Sequence, residues 1–293
     1  MLGMTGRYRT ACHPLLAWLT HCWLGLAVLL ISPIALTASL PLSPEEQAFV
    51  REHPVIRIGA PPSFEPYSFF DSQRRYQGLS ADVMQLLSEK TGLRFELIPN
   101  LSWPDILTAA QERKLDVITT AVLRPDRTAY LNFTRIYIPT PLVIATRAER
   151  PRIRSSEDFE HGPVALVKGY SSTDIALDRY PRINAKLYET TLETLQALAE
   201  GEVEATVGPI GVVHHLIAQH GLTNLKINAG FEMRDNGQRI AVRSDWPVLS
   251  TLLDRALADI HPQDYQVMLQ KWVPINYEQL EHIPPGITTA QRA

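Results

Sequence analysis

The chain has 293 residues, of which 45% are hydrophobic, and it carries a formal net charge of −3 with acidic and basic residues interspersed. A chain of this length can bury the core of one large domain or of two modest ones. No stretch concentrates lysine and arginine into a basic stripe, so we do not expect a nucleic-acid partner.

Residues 1–39 have the pattern of an export signal. Arg7 and Arg9 precede a long apolar stretch from residue 15 to residue 36, and small residues follow it. A basic start, an apolar middle and a small-residue exit are typical of a secretory signal peptide. The apolar stretch approaches the roughly 20 residues of a spanning helix, so it could instead remain as a membrane anchor. In both cases we expect the rest of the chain to lie in the periplasm.

After a short helix within residues 40–53, the chain repeats one order of elements. Strand, helix, strand, helix and strand are predicted from residue 55 to residue 119, with a proline-stiffened loop at residues 61–67 and Ser80 as the cap of the first helix. The same order returns from residue 163 to residue 207, and a further strand and two helices follow. This alternation predicts an α/β protein with mainly parallel sheets. Two similar units predict two lobes with a ligand cleft between them.

A turn at residues 124–127 carries two arginines just past the end of the predicted strand 115–119. In open α/β sheets the ligand site lies beyond the carboxyl ends of the strands. The planar guanidinium of Arg127 is suited to hold a carboxylate through two parallel hydrogen bonds. The alternative is a solvated arginine in a polar turn.

Short motifs follow one another in a fixed order: LSPEEQ at 42–47, YQGLSAD at 76–82, TGLRFE at 91–96, RPDR at 124–127 and KWV at 271–273. In this order they resemble the family 3 extracellular solute-binding proteins. Within that family they look most like the Venus-flytrap sensor domains of bacterial hybrid histidine kinases and diguanylate cyclases. The resemblance spans about residues 42–273.

The resemblance implies a two-lobed type II periplasmic-binding-protein fold, the Venus flytrap, with a hinge and an interlobe cleft. Lobe 1 would comprise residues 54–138 plus 238–273, and lobe 2 would comprise residues 139–237. The remaining segments would be the signal peptide or anchor at 1–39, the N-terminal helix at 40–53 and a polar tail at 274–293.

The resemblance also implies a set of ligand contacts. Arg127 matches the carboxylate-binding arginine of the family, and Phe64 and Tyr67 fall where the family stacks a ring on its ligand, unless they are core residues. Ser171 and Ser172 begin a predicted helix whose N-terminus would attract an anion, although they could serve only as ordinary N-caps. The full set of expected ligand-binding residues is Arg127, Phe64, Tyr67, Thr120, Ala121, Ser171, Ser172, Gly169 and Glu65.

One position departs from the family pattern. Amino-acid binders of the family have an aspartate after the strand and glycine that match Val207 and Gly208, and this aspartate receives the ammonium group. Here the position is Pro209, which has no charge and no N–H. A carboxylic acid without an amine is therefore an alternative to an ordinary α-amino acid. Glu65 could supply the missing negative charge, or it could be a solvated loop residue.

We therefore expect a binding protein, not an enzyme, that captures a small polar, carboxylate-bearing solute between two lobes. The solute would be delivered to a membrane transporter, such as an ABC transporter of amino acids, or reported to a membrane sensor protein. The alternative is an enzyme resembling cyclohexadienyl dehydratases, in which Glu65 would be the candidate acid. The motifs of serine hydrolases, zinc proteases and phosphate-binding loops do not occur, so we expect no cofactor and no metal.

Overall fold

The computed structural model describes residues 40–232 and 237–273. The predicted signal peptide or anchor at residues 1–39 and the predicted tail at 274–293 lie outside the described residues. Within the two described ranges, no helix combines the length and the apolar character that a membrane crossing requires.

The described residues form nine α-helices and fourteen strands. The helices are α1 (Pro44–Glu52), α2 (Leu79–Thr91), α3 (Trp103–Gln111), α4 (Ser156–Glu160), α5 (Ser171–Arg179), α6 (Thr191–Glu200), α7 (Ile210–Gln219), α8 (Pro247–Ala258) and α9 (Pro262–Trp272). The strands are β1 (Val55–Gly59), β2 (Ser63–Phe64), β3 (Ser68–Phe70), β4 (Tyr76–Gln77), β5 (Arg94–Leu97), β6 (Val117–Val122), β7 (Leu131–Phe133), β8 (Ile138–Pro139), β9 (Leu142–Arg147), β10 (Pro163–Val167), β11 (Asn184–Tyr188), β12 (Ala205–Pro209), β13 (Leu225–Glu232) and β14 (Gly237–Arg243).

The first sheet has the strand order β5-β1-β6-β14-β7, and β8 also pairs with β14. β1 lies parallel to β5 and β6, whereas β14 runs antiparallel to β6, β7 and β8. Helix α8 packs on this sheet through Leu249, Leu252, Leu253 and Ala256, all fully buried. Their spacing places them on one face of the helix, so the amphipathic pattern of α8 fixes it against the sheet.

The second sheet has the strand order β11-β10-β12-β9-β13. β10 lies parallel to β11 and β12, and β9 runs antiparallel to both β12 and β13. Each sheet thus joins three parallel strands, taken from one copy of the repeat, to antiparallel strands from other parts of the chain. The α/β prediction is confirmed.

The chain passes between the two sheets twice, and the strands that flank the two passages pair with each other. It leaves the first sheet after β8 and enters the second at β9, and it returns from β13 to β14. Gln238, near the start of β14, pairs with Ile138 of β8. The division into lobes at residues 54–138 plus 238–273 and 139–237 stays a prediction.

A third, small sheet corrects the sequence-based view of residues 61–77. The segment predicted as a loop contributes β2 to an antiparallel sheet of order β2-β3-β4. Helix α2 then begins at Leu79, and its N-cap is Gly78 with a φ of 111°, so Ser80 is not the cap. A side chain at position 78 would collide with the carbonyl oxygen of Tyr67, so the close approach requires glycine.

Candidate functional site

A cavity with about 470 Å³ of space, part of it open to solvent, lies between elements of the two sheets. The first sheet and its attached elements contribute Pro61, Phe64, Trp103, Thr120, Ala121, Val122, Arg127 and Gln238. The second sheet and its helices contribute Leu142, Tyr170, Ser171, Ser172 and Pro209.

Arg127 is the one charged residue among those that line the cavity. It closes a short 3-10 turn, Pro125–Arg127, directly after β6, and only 4% of it is exposed. Its Nη1 donates to the carbonyl oxygen of Val122 at 3.1 Å, and its guanidinium lies 5.3 Å from the ring centroid of Trp103. Its Nε has no hydrogen-bond partner within the described residues. Burial lowers the pKa of Arg127, so the fold itself disfavours this charge.

The neighbouring arginine is in a different electrostatic situation. Arg124 forms ion pairs with Asp126 at 3.0 Å and with Asp174 of helix α5 at 2.9 Å. The second pair connects the two sides of the cavity. The charge of Arg124 is thus compensated by two carboxylates, whereas no carboxylate among the described residues forms an ion pair with Arg127.

Helix α5 points its N-terminus at the cavity through Ser171 and Ser172, and both serines line it. The N-cap is Tyr170, and no side chain makes a capping hydrogen bond there, so the alternative of ordinary serine N-caps is not observed. Backbone N–H groups and the helix dipole favour an anion at such an end. Gly169 is not among the lining residues; its carbonyl oxygen accepts a hydrogen bond from Trp103 Nε1 at 3.2 Å.

The two aromatic residues expected at the site have different positions. Phe64 lines the cavity and meets Tyr170 edge-on, with ring centroids 6.4 Å apart. Tyr67 is fully buried and does not line the cavity, which corrects the expectation of a stacking role. Its hydroxyl packs so closely on Gly211, in the first turn of α7, that a Cβ atom there would collide with it. Tyr67 is therefore a core residue.

Thr120, as expected, lines the cavity together with Ala121, and its hydroxyl belongs to a buried cluster. Its Oγ1 lies 2.8 Å from Ser80 Oγ and 3.0 Å from the hydroxyl of Tyr137. The Tyr137 hydroxyl is in turn 2.7 Å from Ser80 Oγ and 2.9 Å from the carbonyl oxygen of Thr119. Burial raises the pKa of Tyr137, so the cluster stays uncharged. Because Tyr137 directly precedes β8, the cluster connects the cavity to the first connection between the sheets.

No carboxylate lines the cavity among the described residues. Pro209, at the end of β12, lines the cavity at the position where the family resemblance implies an ammonium-binding aspartate in amino-acid binders. Glu65 is half-buried and is not a lining residue, although its charge acts on Tyr170, which does line the cavity. Burial raises the pKa of Glu65, although the nearby His220 acts in the opposite direction. In the described ranges, no three His, Cys, Asp or Glu side chains converge to hold a metal ion.

Sequence reasoning missed Trp103, Tyr170 and Gln238. Trp103 is the first residue of α3, after the cap Ser102, and Tyr170 is the residue before the expected Ser171. Their positions beside predicted helix starts were the available signal. Gln238 lies on β14, far along the chain, and its Nε2 donates to Thr140 Oγ1 at 3.1 Å. Only the pairing of β14 with β6 and β8 brings it to the cavity.

Comparison with known proteins finds a matching family model and several similar proteins. A family model described as bacterial extracellular solute-binding proteins, family 3, matches residues 56–275. The virulence sensor protein BvgS of Bordetella pertussis is 24% identical over 230 residues, which are 78% of this chain and 19% of BvgS. The chain thus spans about a fifth of the length of this sensor relative. Cyclohexadienyl dehydratase of Pseudomonas aeruginosa is 22% identical over 182 residues, which are 58% of this chain and 66% of the enzyme.

The fold has solved counterparts. The crystal structure of the BvgS periplasmic VFT2 domain of Bordetella pertussis matches with a TM-score of 0.72 and 23% identity. The match covers 80% of this chain and 99% of that domain. At this identity the likeness shows a shared fold, and it does not indicate which ligand this chain binds.

Proposed function

The chain belongs to the family 3 bacterial extracellular solute-binding proteins, and we propose that it captures a small carboxylate-bearing solute between two lobes. The predicted Venus-flytrap fold and the resemblance to sensor domains are confirmed. The description of the family as extracellular, and of the matching BvgS domain as periplasmic, supports a periplasmic location for this module.

Arg127 is the observation that carries the proposal. A buried charge without a partner costs several kcal/mol of desolvation, so folding alone gives no reason to keep a guanidinium in this cavity. A carboxylate would supply the counter-charge and would accept hydrogen bonds from the unpartnered Nε and its neighbours. The N-terminus of α5 would stabilise the same anion from the opposite side.

The cavity gives no comparable support to an ammonium group. The lining residues include no aspartate or glutamate, and the position of the family's ammonium-binding aspartate is Pro209. An α-amino acid would therefore bring a positive charge to a site that already holds one. We propose that the solute is a carboxylic acid without an α-amino group.

We propose a signalling role in preference to delivery to a transporter. The supporting observation is that the sensor relative BvgS matches 78% of this chain, while the chain spans 19% of that protein. Solute binding would then be reported to a membrane sensor protein. The likeness to cyclohexadienyl dehydratase leaves catalysis as the second candidate. We favour binding because no carboxylate, histidine, lysine or cysteine lines the cavity among the described residues.

The test is a thermal-shift screen of carboxylic acids, amino acids and polyamines, followed by calorimetry on Arg127→Ala with the best hit. A solute that binds the native state raises its melting temperature. We expect Arg127→Ala to weaken binding at least tenfold, about 1.4 kcal/mol, while the protein stays folded. Arg182→Ala is the matched control, since that arginine is exposed and pairs only with Glu160 among the described residues. Unchanged affinity in Arg127→Ala would refute the assignment.

A further inference from the structure

We infer that the solute is an aromatic acid with a single negative charge, selected by rings that line the cavity. The inference rests on the proposed function and goes beyond it by naming the body of the solute as well as its charged group. Two properties of the cavity carry it: the count of uncompensated charges and the chemistry of the walls.

The charge of the cavity favours a monoanion. Arg127 is the one formal charge among the lining residues, and no carboxylate of the described residues forms an ion pair with it. The other nearby cation, Arg124, is already paired with Asp126 and Asp174. A second carboxylate on the solute would therefore find no free cation among the described residues that line the cavity. An ammonium group would find no carboxylate there.

Aromatic and other apolar side chains form the larger part of the cavity wall, beside the hydroxyl and amide groups of Thr120, Ser171, Ser172 and Gln238. Phe64, Trp103 and Tyr170 all line it, and aliphatic or proline side chains fill much of the rest. A polar group of the solute that faced the apolar part of the wall would lose its hydrogen bonds to water. An aromatic ring gains both from leaving water and from stacked or edge-on contacts with these rings.

Trp103 is held as a fixed platform. Its Nε1 donates to the carbonyl oxygen of Gly169 at 3.2 Å, and the Arg127 guanidinium lies over its ring at 5.3 Å. The indole therefore cannot turn away without losing a contact on each side. The group that would hold the carboxylate and the ring that would receive the aromatic body are thus in contact with each other. This arrangement sets a short, fixed distance between the acid and the ring of the solute.

The test uses matched pairs of probes in calorimetry with the wild-type protein. Benzoate against cyclohexanecarboxylate tests the ring at constant charge, and 3-phenylpropanoate against L-phenylalanine tests the ammonium group. Benzoate against phthalate tests a second carboxylate, and benzoate against benzamide tests the charge. We expect benzoate or 3-phenylpropanoate to bind with a Kd of about 1 mM or tighter. The second probe of each pair should bind more weakly than the first. For cyclohexanecarboxylate, the loss of ring contacts should weaken binding about 2- to 12-fold.

Variants separate a stacking contact from a general disturbance. Trp103→Leu should lower the ratio of benzoate affinity to cyclohexanecarboxylate affinity towards one, since it removes the ring that makes the distinction. Trp246→Leu is the matched control, because Trp246 also lies under an arginine, Arg243 at 4.4 Å, but does not line the cavity. It should leave the ratio unchanged. A Trp103 with a purely structural role would weaken both probes equally and keep the ratio.

The outcomes distinguish this inference from the proposed function. If an aliphatic acid, a dicarboxylate or an α-amino acid binds as tightly as the aromatic monoacids and depends on Arg127, the inference is wrong while carboxylate capture stands. If the aromatic acids bind but Arg127→Ala leaves their affinity unchanged, both fall. Failure of all the aromatic acids to bind at about 10 mM, the weak end of small-ligand affinity, would also overturn the inference.

Discussion

Replacing Arg127 by methionine should stabilise the solute-free protein, although it removes the proposed anchor of the solute. Methionine keeps an unbranched apolar side chain of similar length in the cavity wall. The fold disfavours the guanidinium charge, because burial lowers the pKa of Arg127 by more than the nearby carboxylates of Asp126 and Asp174 raise it. The charge thus lowers the stability of the solute-free fold, and a bound anion would offset this cost.

The magnitude follows from opposing contributions. The substitution removes one hydrogen bond from a charged donor to Val122, worth about 1.5–3 kcal/mol, and a cation–π contact with Trp103, worth about 0.5–2 kcal/mol. It also removes the desolvation cost of a buried ion, several kcal/mol, and the unpartnered Nε. The direction of the pKa shift indicates that the desolvation cost is the larger. We expect the free energy of unfolding to rise by about 1 kcal/mol.

The assay is urea unfolding at 25 °C without added solute, with Arg243→Met as the matched control. Arg243 also lies over a tryptophan, at 4.4 Å from the ring of Trp246, but it pairs with Asp245 at 2.7 Å and Asp116 at 3.0 Å. The hydrogen bond to Asp245 raises the pKa of Arg243, so the fold favours this charge. Its removal should lower the free energy of unfolding by about 1–3 kcal/mol. A similar loss in Arg127→Met would refute the reasoning.

Three further predictions concern residues around the site and in the core. Tyr137→Phe should lower the free energy of unfolding by about 1–2 kcal/mol in urea titrations, because it breaks the buried hydroxyl cluster. The control Tyr188→Phe, at a half-buried tyrosine outside this cluster, should change it little. Burial alone would raise the pKa of Asp116, but hydrogen bonds from arginines outweigh it and lower that pKa from its usual 3.8, so its charge stabilises the fold above pH 3.8. That contribution is lost as the pH falls through the lower pKa of Asp116 in the folded protein. Asp116→Asn should lack this loss of stability at acid pH when unfolding is followed by circular dichroism. The same dependence of stability on pH in the variant as in the wild type would contradict the prediction. Asp174→Asn removes the ion pair with Arg124 and should speed release of the bound acid about two- to fivefold in stopped-flow experiments. High salt, which screens the ion pair, should abolish this difference in release rate between the variant and the wild type.

The α/β architecture could be predicted from the sequence because it depends on local pattern. The alternation of strands and helices, and its return in the second half, appears directly in the spacing of apolar residues. The small sheet β2-β3-β4 could not be found in this way. β2 and β4 have two residues each, too short to show a period. Each forms by pairing with β3, through Phe64 with Ser68 for β2 and through Phe70 with Tyr76 for β4.

Which residues line the cavity could be predicted where this depends on the end of a strand, on a turn or on the start of a helix, and their role in ligand binding stays a prediction. Thr120, Ala121, Arg127, Ser171 and Ser172 were expected there, and all five line the cavity. The difference between Phe64 and Tyr67, three residues apart, was not predictable. It depends on Gly211 of α7, whose missing side chain leaves room for the Tyr67 ring in the core. Such a contact between distant parts of the chain leaves no local trace in the sequence.

The two arginine–tryptophan pairs explain why stability and function separate in this protein. Arg243 and Arg127 each lie over an indole ring, so residue type and local packing do not tell them apart. What differs is the supply of carboxylates: the scaffold surrounds Arg243 with two and gives none to Arg127 among the described residues. A charge that the protein compensates itself contributes to folding. We propose that the charge of Arg127 is left for a bound solute to compensate, and that Trp103 beside it would then select the kind of solute that fits.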